Sequence, residues 1–215
     1  MNREQRHFAG HGVKIETRAE GEPATITGYG AVFYDPTKPG TEYDLRSSWG
    51  GFIERIMPGA FDRAIKEDDV RALFNHDPNH VIGRTPNTLK LTADATGLRY
   101  DIVAPDTQFG RDLQTSIMRG DVTGSSFSFS IEDETWREVR DAATNQTTVI
   151  REIRAVRLYD VGPVTFPAYE ASTAGVRSES ELAEARVRLE EFRAKQRRES
   201  ESVAIRARLV TLGLL

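Results

Sequence analysis

A short serine-rich stretch is the first place where this sequence could carry chemistry. Just after a glycine lie three serines within four residues, Ser125, Ser126 and Ser128. The apolar residues that alternate with them are typical of a strand with one buried face. A serine hydroxyl becomes a nucleophile only when a neighbouring base accepts its proton. A candidate base, His76, ends a short apolar run fifty residues upstream of Ser126. Brought together in space, these two side chains would indicate a serine hydrolase.

A histidine base in turn needs a group that orients its ring, and two carboxylates are candidates. Asp160 lies in an otherwise apolar, strand-like stretch, and Asp77 follows His76 directly. Successive residues of a strand point to opposite faces, which counts against Asp77. From pattern alone, Asp160 can equally be an edge-strand carboxylate that faces water, and His76 a half-buried histidine at a strand end. The serine stretch also lacks the Gly-x-Ser-x-Gly form of the α/β-hydrolase nucleophile turn.

A zinc site is the other chemistry that the histidines allow. His76 and His80 are four residues apart, and such a pair shares one face of a helix, as paired zinc ligands do. Pro78 lies between them, and proline disfavours helical geometry at the residue before it. The chain has no cysteine and only four histidines. We therefore expect neither a metal site nor a cofactor.

Composition narrows the class of protein. At 215 residues, 38% hydrophobic and 29% charged, the chain has enough apolar material for one domain of ordinary size. A net charge of −4 gives no electrostatic reason to expect nucleic acid as a partner. No apolar run approaches the roughly 20 residues that cross a bilayer, and the first residues lack the apolar segment of a secretory signal. We expect a cytosolic protein that binds neither nucleic acid nor membranes.

The elements that must position His76 and Ser126 are mostly strands. A helix is predicted from Asp106 or Thr107 to about Arg119, with Gly120 as its stop. A second short helix follows Pro58. Strands are predicted at 24–33 (with a bulge at its glycines), 52–56, 70–75, 89–92 and 98–103 (a hairpin), 124–136, 148–150 and 156–166.

The composition divides the chain into three parts. Residues 1–22 are polar and are expected to be flexible. Residues 23–175 form the predicted domain. Residues 176–215 are predicted to be a helical extension or tail, because 180–192 are rich in helix formers and carry a narrow apolar stripe.

Several segments resemble one known family, and they occur in that family's order. They lie at 52–62 (FIERIMPGAFD), 73–77 with 82–84 (LFNHD and IGR), 106–121, 124–129 (GSSFSF) and 158–169 (LYDVGPVTFPAY). These segments are similar to motifs of the tailed-phage prohead, or capsid-maturation, serine proteases, which are related to the herpesvirus assemblins. Two residues depart from the usual pattern: Ser125 replaces a methionine and Ser128 a glycine.

The resemblance implies a mainly β (α+β) fold, an assemblin-like closed or nearly closed antiparallel β-barrel with a few surrounding helices. It makes His76 the general base and Ser126 the nucleophile, with Asp160 in the third position. Ser128 would share the strand face of Ser126, so it stays an alternative nucleophile. The oxyanion hole is not located by the sequence; backbone N–H groups near a glycine, Arg84 and Arg151 are candidates.

The resemblance also implies substrates and a place of action. Such proteases cleave the scaffold protein, or the scaffolding segment of the major capsid protein, and often themselves. They act inside the assembling prohead, in the host bacterial cytoplasm. Assemblin-like enzymes are often regulated by dimerisation, which by analogy indicates a homodimer. The tail at 176–215 is either a solvated helix or a scaffold-binding segment that is trimmed on activation. The alternative function is a non-catalytic capsid assembly or scaffold module on the same fold.

Overall fold

The computed structural model describes residues 3–8, 12–16, 24–45, 51–140, 142, 145–166 and 179–211. It divides into two compact units, Met1–Arg177 and Ser178–Leu215. The boundary expected between 175 and 176 lies outside the described residues. In the described part, no helix is both long and apolar enough to span a bilayer.

The larger sheet holds all three residues of the predicted serine site on or next to its strands. Its strands are β1 (Glu4–Phe8), β4 (Tyr43–Asp44), β5 (Ile53–Ile56), β6 (Arg71–Leu73), β7 (Val81–Arg84), β10 (Gly124–Arg140) and β11 (Thr147–Val164). The main path is β1–β10–β11–β5–β4, and β6 pairs with both β11 and β7. The long strands β10 and β11 pair along their whole length, and their register shifts after Ser128, Ile131 and Asp133.

The smaller sheet is antiparallel and has the order β2–β3–β9–β8. Its strands are β2 (Lys14–Glu16), β3 (Thr25–Val32), β8 (Leu89–Ala93) and β9 (Gly97–Val103). The predicted hairpin is confirmed as β8 and β9. The register of β3 shifts between Tyr29 and Ala31, as its glycines predicted.

Side chains of both sheets share one hydrophobic core. Ile26 and Tyr100 of the smaller sheet belong to it, as do Phe127 and Phe129 of the larger one. The rings of Phe127 and Phe129 stack with their centroids 4.7 Å apart. Burial of these large apolar groups is the dominant favourable term that holds the two sheets together.

The expectation of a mainly β fold with some helices is confirmed, but a closed antiparallel barrel is not found. Among the described residues, backbone hydrogen bonds form two separate sheets and no closed ring of strands. The larger sheet is mixed, because β5 and β6 both run parallel to β11. Parallel neighbours require crossover connections, and the strand pattern of the sequence does not reveal these.

The N-terminal segment differs from the expectation. We expected residues 1–22 to be flexible, yet β1 pairs with β10 and β2 pairs with β3. The physical reason is that Glu4 and Arg6, which look like surface residues in the sequence, are both buried against opposite charges.

The helices flank the sheets of the first unit and form most of the second. Helix α1 (Ala64–Glu67) is a single turn. Helix α2 (Gln108–Arg119) is capped as predicted: the Thr107 hydroxyl accepts from Gly110 N–H, and Gly120 adopts a left-handed conformation. Helix α3 (Glu179–Thr211) lies within the segment 176–215, for which a helical extension was expected, and includes the helix-forming stretch 180–192.

Candidate active site

Successive side chains of β10 point to opposite faces of the sheet, so its three serines do not all lie on the same face. Ser125 turns to the core, where its hydroxyl lies 2.7 Å from that of Tyr100. Burial raises the pKa of the Tyr100 phenol, which stays a neutral hydrogen-bonding group. Ser126 and Ser128 lie on the opposite face, and both are completely buried. Only these two serines of the stretch can therefore face the predicted base.

His76 is held by a tight turn after β6 rather than by a strand end. Asn75 and His76 both have positive φ angles, 54° and 58°, a conformation that asparagine tolerates better than most residues. The Asn75 amide side chain accepts from Thr165 N–H at 2.9 Å and donates to the Thr165 hydroxyl at 3.1 Å. These paired bonds fix the turn to the end of β11.

The strand that leads to this turn approaches β11 closely. Strand β6 pairs with Asp160 and Val161 of β11. At Gly162, an added Cβ would lie 2.1 Å from the carbonyl oxygen of Leu73. Only glycine fits there, so Gly162 sets the distance between the turn that carries His76 and the strand that carries Asp160.

The structure brings His76, Ser126 and Asp160 together, and we call these three residues the catalytic cluster. His76 Nε2 lies 2.5 Å from Ser126 Oγ. His76 Nδ1 contacts Asp160 Oδ1. The side chains of His76 and Asp160 are only 6% and 1% exposed. A histidine whose two ring nitrogens face a serine hydroxyl and a buried carboxylate has the contacts that nucleophilic catalysis requires.

The other candidates have different partners. Asp77 is exposed and pairs with His80 at 3.0 Å. A hydrogen bond from Asn79 N–H is the largest of the interactions that lower its pKa. The His80 ring stacks on Phe109. Among the described residues, no group of three or more side chains is arranged to hold a metal ion.

Ser126 has a second hydrogen-bond partner that the sequence did not indicate. Its hydroxyl donates to the carbonyl oxygen of Arg6 at 2.8 Å. Strand β1 places this carbonyl because it pairs with β10 in a register that sets His7 opposite Ser126. Ser126 therefore contacts both His76 and the N-terminal strand.

A second buried polar cluster anchors β1. We call Glu4, Arg6, Glu54 and Arg151 the charge cluster. Arg6 binds Glu54 at 2.6 and 2.9 Å and Glu4 at 2.6 Å. Arg151 binds Glu54 at 2.9 Å and Glu4 at 3.2 Å. Burial alone would raise the pKa of Glu4, but Arg6 and Arg151 outweigh that effect and lower it.

The two arginines considered for the oxyanion hole are both bound to carboxylates. Arg151 belongs to the charge cluster and also binds Glu134 at 2.7 Å. Arg84 is exposed and binds both oxygens of Asp69. Backbone N–H groups remain the donors that the sequence analysis named.

Comparisons with known sequences and structures identify a family and a similar solved structure. No curated protein sequence matches this chain significantly. The structure is similar to that of the bacteriophage T4 capsid assembly protease gp21, with 13% sequence identity, a TM-score of 0.43, and coverage of 78% of this chain and all of the other. The profile of the caudovirus prohead serine proteases matches residues 13–186, which include His76, Ser126 and Asp160. The chain therefore belongs to the caudovirus prohead serine protease family.

Proposed function

We propose that this protein is a serine endopeptidase in which Ser126 is the nucleophile, His76 the general base and Asp160 the residue that orients the histidine. The observation that carries the proposal is the placement of the His76 ring. Its Nε2 faces the Ser126 hydroxyl at 2.5 Å, and its Nδ1 faces the Asp160 carboxylate. Membership of a prohead serine protease family supports the same reaction.

The contacts define a proton path for amide hydrolysis. The Ser126 hydroxyl has one proton and two neighbouring acceptors, the Arg6 carbonyl and His76 Nε2. Attack on a scissile carbonyl begins when that proton moves to His76 Nε2. Asp160 accepts from Nδ1–H, which keeps Nε2 free as an acceptor and stabilises the imidazolium that forms. His76 then donates the proton to the leaving amine, and water repeats the sequence on the acyl-enzyme.

Membership of the family supports a proposal for the substrates as well. The protease cleaves the scaffold protein or the scaffolding segment of the major capsid protein during prohead maturation, inside the assembling prohead in the host cytoplasm. It also cleaves itself. Residues 176–215 are the expected self-cleavage product, since a separate compact unit begins at Ser178.

The test compares the intact chain with two serine variants in the presence of the cognate capsid and scaffold proteins. Ser126→Ala removes the proposed nucleophile, and Ser128→Ala is the matched control on the same strand face. Intact-mass analysis should show discrete fragments with the unaltered chain and with Ser128→Ala, but none with Ser126→Ala.

Two results would contradict the proposal. Fragments from Ser126→Ala but not from Ser128→Ala would assign the nucleophile to Ser128. No cleavage in any sample, despite assembled proheads, would indicate the non-catalytic assembly module instead. Release of a fragment that begins near residue 176 tests self-cleavage separately.

A further inference from the structure

We infer that Arg3 is a positioning residue for the proposed protease reaction: it holds the Asp160 carboxylate by the oxygen that His76 does not contact. This inference rests on the proposed function. Arg3 is not part of any motif that the sequence analysis used. It also lies outside residues 13–186, which the family profile matches.

The first observation is that the two oxygens of the Asp160 carboxylate have different partners. Oδ1 contacts His76 Nδ1, and Oδ2 contacts Arg3 Nη2. The two partners come from different parts of the chain and contact different oxygens. A carboxylate held by both oxygens cannot rotate about its last bond, so the oxygen that orients His76 stays in place.

The second observation explains why the guanidinium stays there. Arg3 Nε donates to Ser128 Oγ at 2.5 Å, and the guanidinium lies 5.0 Å from the centre of the Tyr159 ring. Nε and Nη2 thus reach neighbouring groups on the paired strands β10 and β11, where Ser128 is opposite Asp160. This arrangement gives Ser128 a role as an anchor for Arg3.

The third observation concerns the strand that delivers Arg3. Residue 3 directly precedes β1, and the next residue, Glu4, is fixed in the charge cluster by Arg6 and Arg151. Arg3 is 48% exposed, whereas Glu4 is 3% exposed. The backbone is therefore anchored one residue away, while the side chain of Arg3 can be changed without opening the core.

The first experiment records the NMR signal of the His76 ring, with all variants made in the Ser126→Ala full-length chain to prevent self-cleavage. The Cε1–H signal of His76 is assigned from its loss in His76→Gln. We expect Arg3→Gln to shift this signal, because Asp160 Oδ1 is then held less firmly against Nδ1. Arg3→Lys, which keeps a cationic donor for Asp160, should leave the signal nearly unchanged. Arg99→Gln is the matched control, because Arg99 is also partly exposed and binds an aspartate through Nη2.

A rate measurement tests whether Arg3 positions Asp160 for the reaction. In chains that keep Ser126, we expect Arg3→Gln to lower kcat for scaffold cleavage about 5- to 20-fold with KM unchanged, and Ser128→Ala to lower it about 2- to 5-fold. Because both changes disturb one arrangement, the double variant should be no slower than Arg3→Gln alone. Additive effects would overturn the anchoring role of Ser128.

The outcomes separate the two ideas. An unmoved His76 signal and an unchanged kcat in folded Arg3→Gln, with normal cleavage by the unaltered chain, would overturn this inference and leave the proposed function standing. A shifted His76 signal without cleavage by any chain would overturn the proposed function alone. A lowered melting temperature with no shift of the His76 signal and no change of kcat would reduce Arg3 to a residue that only docks β1.

Discussion

Strand β1 joins two buried polar clusters that are built in different ways. In the charge cluster, each carboxylate binds both arginines, and all four residues lie on strands. In the catalytic cluster, the histidine lies on a turn with a positive φ angle, and the Ser126 hydroxyl has one proton for two acceptors. A network in which every charge is paired resists change, whereas one with a spare acceptor can move a proton. Equal burial thus fits a stabilising role for one cluster and the proposed chemistry for the other.

The largest expected effect comes from the catalytic cluster. Asp160→Asn keeps the shape of the side chain but can place an amide N–H against His76, which favours the wrong tautomer of the ring. We expect kcat for scaffold cleavage to fall about 10³- to 10⁴-fold. The free energy of unfolding, measured by urea denaturation, should change far less than the activity. If Asp160→Asn lowered the free energy of unfolding enough to explain its loss of activity, the two clusters would not differ in role.

The charge cluster should respond in the opposite way. Arg151→Met removes one arginine and leaves Glu4 and Glu54 with Arg6 alone, so buried negative charge is no longer balanced. We expect the free energy of unfolding to fall by about 3–5 kcal/mol. Arg137→Met is the matched control on β10: Arg137 is exposed and pairs with the buried Glu152 at 2.9 Å. Glu152 keeps Arg154 as a partner in this variant, so we expect a loss of only about 0–1 kcal/mol. Equal losses in the two variants would show that the charge cluster does not anchor the fold.

The turn that carries His76 allows geometry and contacts to be tested separately. Asn75→Ala loses both bonds to Thr165 and places alanine at a positive φ angle, which costs on the order of 1–3 kcal/mol. Asn75→Gly loses the same bonds but accepts the angle without strain. We expect both variants to cleave about tenfold more slowly, because His76 is less well held, and only Asn75→Ala to be clearly less stable. Normal activity in both would remove Asn75 from the positioning of the base.

Much of the local structure could be predicted because its causes are local. Thr107 and Gly120 mark the ends of α2, and the hairpin of β8 and β9 follows from alternation around a glycine-containing loop. The three residues expected to act together also lie together in the structure. That expectation came from the order of five motifs. The residue types serine, histidine and aspartate were by themselves compatible with several kinds of site.

The remaining features depend on contacts between distant parts of the chain. In the sequence, β1 looks like a polar terminus. The residues that neutralise Glu4 and Arg6 lie far along the chain, on β5 and β11, so the burial of β1 could not be predicted. The parallel pairing of β11 with β5 and β6 follows from crossovers that leave no periodic signal. Asn75 did carry a usable signal, as asparagine is one of the few residues that favours a left-handed turn beside a functional residue.

The smallest expected effect is a difference in how stability depends on pH. Arg6 and Arg151 lower the pKa of Glu4 in the folded protein below its value in the unfolded chain. The unfolded state therefore takes up the proton first, and the stability contributed by Glu4 is present above the ordinary glutamate range and lost as the pH falls through it. We expect Glu4→Gln to unfold more easily at pH 7 and to lose less further stability between pH 6 and pH 3 than the unaltered chain. Urea denaturation across this range measures the difference. Parallel curves would show that the ionised carboxylate of Glu4 contributes nothing to the anchoring of β1, and the charge cluster would then hold that strand through Arg6 and Glu54 alone.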